Sequence, residues 1–172
     1  MPLSIFIDDG ASMDEGPLRN LVGEAVMIDL SQRGLREVSR AEPESFAEDL
    51  CEGDIVIINT GTHCKYGTKE FITADLYLKL NVARWLADKG ICRLGVDTMA
   101  IDPLESHESP AHRIILGAGI PIVENLANLD SVDRNRFFFV ALPLKIAGAE
   151  GAPCRAIAML EAEPGDPRRK ED

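Results

Sequence analysis

Asp54-Ile55-Val56-Ile57-Ile58-Asn59 is an unbroken β-branched run closed by polar residues at both ends. Strands of half-exposed sheets alternate apolar with polar, whereas a continuous Val/Ile run fits a strand buried on both faces. Such a strand needs layers above and below it, and the flanking sequence supplies candidates for both. Upstream, Glu24–Leu30 predicts a strand between Gly23 and the polar Ser31–Gly34 stretch, and Glu44–Cys51 predicts a short helix. Downstream, Leu76–Lys89 predicts an amphipathic helix, with Leu78, Val82, Trp85 and Leu86 on one face. Thr73 or Asp75 is placed to cap its start, and Gly90 to supply a left-handed stop.

Ile91–Asp97 predicts the next strand, and together with Asp54–Asn59 it forms the expected centre of the sheet. This helix–strand alternation points to the α/β class. A short helix over Ala111–Leu116 leads through Gly117-Ala118-Gly119 into Ile120–Glu124. Phe137–Leu142 and Ala156–Leu160 predict closing strands with no helix of ordinary length between them. That ending favours a mixed sheet over a purely parallel one. Residues 1–163 are expected to form one domain, and 164–172 a polar tail.

The composition excludes several function classes. At 172 residues, 45% hydrophobic and 27% charged, the chain has the make-up of a soluble globular protein. A net charge of −11 argues against nucleic acid as a partner, because phosphate binding needs a basic face. No apolar run approaches the roughly 20 residues that span a bilayer, so no membrane association is expected. The N-terminus carries no basic stretch and turns acidic at Asp8 and Asp9, unlike a signal peptide. Cys51, Cys64, Cys92 and Cys154 form no CxxC pair, which suits free thiols in the cytoplasm.

The candidate chemistry lies in His112 and Glu124, twelve positions apart and each at the edge of an apolar segment. Imidazole and carboxylate are a common ligand pair for zinc or manganese, although a catalytic zinc needs about three protein ligands. The alternative for His112 alone is a helix-start histidine, and for Glu124 alone a solvated strand-end carboxylate. Cys64 beside His63 offers a thiol nucleophile, but neighbours in an extended segment point opposite ways. His107 has no defensible ligand spacing and is expected in a loop.

Five stretches stand out together: Gly95-Val96-Asp97-Thr98, Asp102-Pro103, Ser109-Pro110-Ala111-His112-Arg113, Glu124-Asn125-Leu126 and Asn128-Leu129-Asp130. They resemble the cyclase family of metal-dependent hydrolases, which includes bacterial kynurenine formamidase and isatin hydrolase. Ala141–Ile146 and Gly151–Ala156 continue the likeness. Upstream, Pro17-Leu18, Leu21-Val22-Gly23, Ile28–Ser31 and Gly53–Val56 keep the family's order, so the resemblance runs from about Phe6 to Leu160. It implies a mixed, barrel-like sheet flanked by helices, and hydrolysis of amide, lactam or ester bonds with a divalent metal. It also implies a role in tryptophan catabolism, a small-molecule substrate and a homo-oligomer. His112 and Glu124 match the family's two C-terminal metal ligands.

The family's other ligands lie in an N-terminal HxGTHxDxPxH motif that this sequence lacks. Pro2-Leu3-Ser4-Ile5-Phe6 stands at its end, with Ser4 or Ile5 where the last histidine belongs. Asn59–Lys65 copies the motif superficially, but Asn59 replaces its first histidine and Lys65 its aspartate, so a structural loop is expected there. Three readings follow: an impaired cyclase-type hydrolase, a metal-free degenerate paralogue acting as a binding or regulatory subunit, or an unrelated cysteine enzyme. The catalytic residues are not assigned. An unpaired sheet edge or uncovered apolar patch is also expected.

Overall fold

A computed structural model describes residues 12, 14–17, 20–74 and 76–161. The Pro2–Phe6 stretch, Leu18, Asp75 and the tail from Pro164 lie outside the described residues. The elements run β1 (Val22–Asp29), β2 (Glu37–Val38), α1 (Ala41–Glu44), β3 (Ile55–Asn59), α2 (Lys69–Thr73) and β4 (Tyr77–Leu78). They continue with α3 (Leu80–Asp88), β5 (Arg93–Val96), α4 (Pro110–Gly117), β6 (Ile122–Val123), β7 (Arg136–Pro143) and β8 (Cys154–Met159).

Six strands form one sheet in the order β6-β5-β3-β1-β7-β8. The first four are mutually parallel, and β7 and β8 add an antiparallel hairpin. The expected mixed α/β sheet is present, with β3 and β5 inside it. All five residues of β3 are buried, because both faces of the sheet are covered. On one face Val56, Ile58, Leu94 and Val96 meet α3 and α4 through Val82, Trp85, Leu86, Ile115 and Leu116. On the other, Ala25, Met27, Ile55 and Ile57 meet Phe137, Phe139, Leu126 and Leu129. The second cluster closes on itself because the sheet curls into a half-barrel.

The helix expected from Leu76 begins four residues later. Leu78 N–H donates to Ile101 O (2.9 Å) and Lys79 N–H to Val38 O (2.9 Å), so this stretch is extended. It pairs with β2 as a small parallel sheet, Glu37↔Tyr77 and Val38↔Leu78. Tyr77 donates its hydroxyl to Glu37 (2.8 Å), and Lys79 forms an ion pair with the same carboxylate. These tertiary partners outweigh helix propensity, so Leu78 is buried as a strand residue. Thr73 ends α2 and caps nothing in α3, whose N-cap position is Lys79. Gly90 supplies the left-handed stop, at φ 68°. The single helix expected over Glu44–Cys51 is replaced by α1 and a separate 3-10 turn at Ala47–Asp49.

Among the described residues, an apolar surface of the sheet stands exposed. Phe138, Leu142, Ile157 and Met159 are all exposed on the β7–β8 hairpin. Register makes a patch of them, because Phe138 stands opposite Met159 and Val140 opposite Ile157.

Candidate metal centre

In open α/β sheets, ligands gather beyond the carboxyl ends of the parallel strands. Here those ends carry Asp29 (β1), Asn59 (β3), Asp97 just after β5 and Glu124 just after β6.

Asp97 is fully buried and organises the loop after β3. It accepts from Thr60 N–H (2.9 Å), the Thr60 hydroxyl (2.8 Å) and His63 N–H (3.1 Å). Asn59 adds a bond from its amide to Asp29 (3.1 Å) and accepts from Gly61 N–H (3.1 Å). Thr60–Lys65, following the end of β3, is therefore a loop pinned by bonds from its N–H groups to the side chains of Asp97 and Asn59. Thr62–Lys65 is a 3-10 turn rather than an extended segment, so His63 and Cys64 are not directed oppositely. Cys64 Sγ is 3.8 Å from both ring nitrogens of His63, aligned with neither lone pair. That arrangement does not make His63 a thiol-activating base. His107 is an exposed bend residue.

Asp102, His112 and Glu124 form a linear array. Asp102 is buried in the loop before α4, and its carboxylate accepts from the backbone N–H groups of Ala111 (2.8 Å) and His112 (2.9 Å). It thereby caps the helix in place of Ser109, whose side chain makes no cap bond and whose φ is 44°. Pro110 at the first turn needs no N–H partner. The same Asp102 Oδ2 lies 2.7 Å from His112 Nδ1, and His112 Nε2 lies 3.0 Å from Glu124 Oε1. His112 is 3% exposed, so this contact is shielded from solvent. Burial pushes the His112 pKa down, but the bonds to Asp102 and Glu124 outweigh it and leave the imidazole above its ordinary range. Burial pushes Asp102 up, and the His112 and backbone donors more than offset this, leaving it lowered.

The donor set suits part of a metal site. A carboxylate on Nδ1 that orients the ring is the usual support for a metal-binding histidine, leaving Nε2 for the ion. Glu124 Oε1 is close enough to that nitrogen to share it. Among the described residues, no group of three His, Cys, Asp or Glu is placed to hold an ion. The fit is thus two ligands with one support.

Sequence reasoning brought out His112 and Glu124 but assigned no role to Asp102 or Asp97. A capping signal for Asp102 was weak, because the capping carboxylate stands nine residues before the N–H it satisfies instead of two or three. It also gave no role to Arg93, the one charge in the otherwise apolar stretch Ile91–Val96.

The curled α/β sheet is a fold shared with known hydrolases. Residues 2–103 match the Cyclase family model, described as "Putative cyclase". The chain is 34% identical over 152 residues to a kynurenine formamidase of Bacillus cereus, covering 88% of this chain and 69% of that protein. A kynurenine formamidase of Salinibacter ruber is 31% identical over 156 residues, 90% of this chain and 71% of that one. Among solved structures, a predicted metal-dependent hydrolase from Bacillus stearothermophilus superposes with a TM-score of 0.74 at 30% identity, covering 87% and 70% of the two chains. Isatin hydrolase A from Labrenzia aggregata does so at 0.79 and 25% identity, covering 90% and 66%. The chain belongs to the cyclase family, and its relatives are hydrolases. Among the described residues, no helix is long and apolar enough to cross a membrane.

Proposed function

We propose that this protein serves metal-dependent hydrolysis of an amide, lactam or ester bond in a small molecule. By analogy with the kynurenine formamidases it resembles, the reading places it at an arylformamidase step of tryptophan catabolism in the cytoplasm. The Asp102–His112–Glu124 array carries this reading. A buried histidine held on Nδ1 by one carboxylate and offered through Nε2 beside a second has the chemistry of two ligands and their support. His112 Nε2 and Glu124 Oε1 would hold the ion, and the pair suits zinc as well as manganese. A bound divalent cation lowers the pKa of its water and polarises a carbonyl.

The protein's own residues have separable tasks in this reading. Asp102 fixes the ring and its tautomer, and α4 fixes Asp102 through two backbone N–H groups. Glu124 supplies negative charge to the site. The general base that the family resemblance assigns to the HxGTHxDxPxH stretch has no counterpart in these 172 residues. Proton transfer supplies roughly 10²–10⁴-fold in rate, and two ligands bind an ion less firmly than three or four. Hydrolysis by the 172-residue chain alone is therefore expected to be slow.

The test is hydrolysis of N-formylkynurenine and isatin with excess Zn²⁺ or Mn²⁺. Slow, metal-dependent turnover lost in His112→Ala supports the reading. A second reading, a metal-free paralogue acting as a binding subunit, draws on the way both His112 nitrogens already have carboxylate partners. Absence of metal binding in calorimetry would favour it.

A further inference from the structure

Arg93 stands at the start of β5 and is 1% exposed. Its strand neighbours Leu94 and Val96 pack against the helices, so alternation turns Arg93 into the half-barrel. There its Nη1 donates to Ala141 O on β7 (2.9 Å) and, at the limit of hydrogen bonding, to Leu21 O (3.5 Å). Its Nε is buried with no acceptor among the described residues. Burial pulls its pKa down to about 10, with Cys154 and Cys92 acting the other way, so it stays charged at neutral pH. Carbonyl dipoles do not neutralise a cation, and a buried charge without a counter-charge is costly. An apolar side chain would fill this strand position at less cost, so folding alone does not account for Arg93.

Arg93 also forms part of the wall of a cleft of about 520 Å³. The cleft runs along β6 and is lined as well by Glu124, Tyr66, Ala141, Pro143 and Cys154. The register Leu94↔Ile122 sets Arg93 beside Pro121, three residues before Glu124. At 3.3 Å per residue, the backbone positions of Arg93 and Glu124 are about 10 Å apart along the strands. Glu124 meets α4 on one face of the sheet while Arg93 projects from the other, and the cleft wraps the edge between them. Its size is that of a small-molecule site.

We propose that Arg93 is an anion-recognition residue, a buried guanidinium that receives the carboxylate of a small-molecule substrate in the cleft along β6. A planar carboxylate matches the guanidinium fork and supplies both the missing acceptor for Nε and the missing counter-charge. The inference rests on the hydrolase reading and narrows its substrate class. A substrate of this kind carries a carboxylate several bonds from the carbonyl that is cleaved.

The experiment uses the full chain freed of metal with a chelator, and benzoate as the probe. Benzamide, nearly the same shape without the charge, is the control. Benzoate is expected to bind by calorimetry and to raise the melting temperature, because a ligand of the folded state stabilises it; benzamide should do neither. Arg93→Met is expected to weaken benzoate binding by about tenfold or more, the worth of a charge-assisted hydrogen bond. Its melting temperature without ligand should be unchanged or higher, since an uncompensated buried charge is removed. Arg93→Lys, which keeps the charge but not the fork, should bind benzoate at intermediate strength, and it serves if the methionine variant does not fold. Equal responses to benzoate and benzamide, no response to benzoate, or unimpaired benzoate binding by Arg93→Met would each overturn the proposal. Benzoate binding without metal-dependent turnover would leave the Arg93 assignment standing and remove the hydrolase reading.

Discussion

His112 Nε2 lies 3.0 Å from Glu124 Oε1, so the atoms that would bind a metal ion are already bonded to each other. A metal must therefore displace a proton from an imidazole whose pKa is raised. Its apparent affinity should climb as pH rises through neutrality, and binding should release protons. Zn²⁺ calorimetry in two buffers of different ionisation enthalpy checks this. Identical heats in both buffers would show that no proton leaves.

Replacing Asp102 with Ala should cost about 3 kcal/mol or more. The change removes the acceptor for two α4 N–H groups and leaves a buried imidazole without its Nδ1 partner. Urea unfolding of the variant beside the unaltered protein measures it. A loss under 1 kcal/mol would mean the loop has found the helix another cap.

Stability of the metal-free protein should peak on the acid side of neutrality. The folded-state pKa of His112 is raised, so its contribution is complete below its ordinary value of 6.5 and is lost as pH rises through the folded value. Asp102 runs the other way: its pKa is lowered from 3.8, and its contribution holds above that value and is lost as pH falls through the folded one. Urea midpoints measured between pH 4 and 9 with a chelator present should decline on the alkaline side. His112→Ala should flatten that decline, and an unaltered slope would assign it to other groups.

Gly95→Ala should destabilise by about 1–3 kcal/mol, the usual range for overpacking. A Cβ there would lie 2.8 Å from Leu126 Cδ1 and 3.2 Å from Ile57 Cγ1, both in the enclosed half-barrel core. The denaturation midpoint reports the loss. A neutral result would show that Leu126 has room to turn aside.

The uncovered β7–β8 face is expected to be an interface between copies of this chain, since exposed apolar patches of this kind mark association sites. Ile157→Lys sets a charge at the middle of the Val140–Ile157 pair. Light scattering should give an oligomer for the unaltered protein and a smaller species for the variant. A monomer in both would remove this role from the face.

The fold was legible where burial is two-sided or periodic. The Ile55–Ile58 run announced a covered central strand, and Val82, Trp85 and Leu86 announced α3. It was not legible at Leu76–Lys79, where the helical pattern continues but hydrogen bonds donated to the carbonyls of Val38 and Ile101 hold the chain extended. Those partners are distant in sequence, and no local rule includes them. Of the candidate site, His112 and Glu124 were visible because they stand at the edges of apolar segments and within stretches that resemble the family's motifs. Asp102 was not, because its cap acts across a loop, and neither was Arg93, whose isolation shows only once β7 is seen curling over it.

The pairing of β1 with both β3 and β7 bears on how the protein comes to be folded. During synthesis β1, β3 and β5 emerge early and can join as a parallel sheet, with α3 and α4 covering one side. The opposite side waits, because Phe137, Phe139 and Ala141 reach it only when β7 leaves the ribosome. Until then the nascent chain shows an open β1 edge and a bare apolar concavity, which are targets for chaperones and for aggregation. The late hairpin is thus the element that closes the β1 edge and the concavity of a newly made molecule.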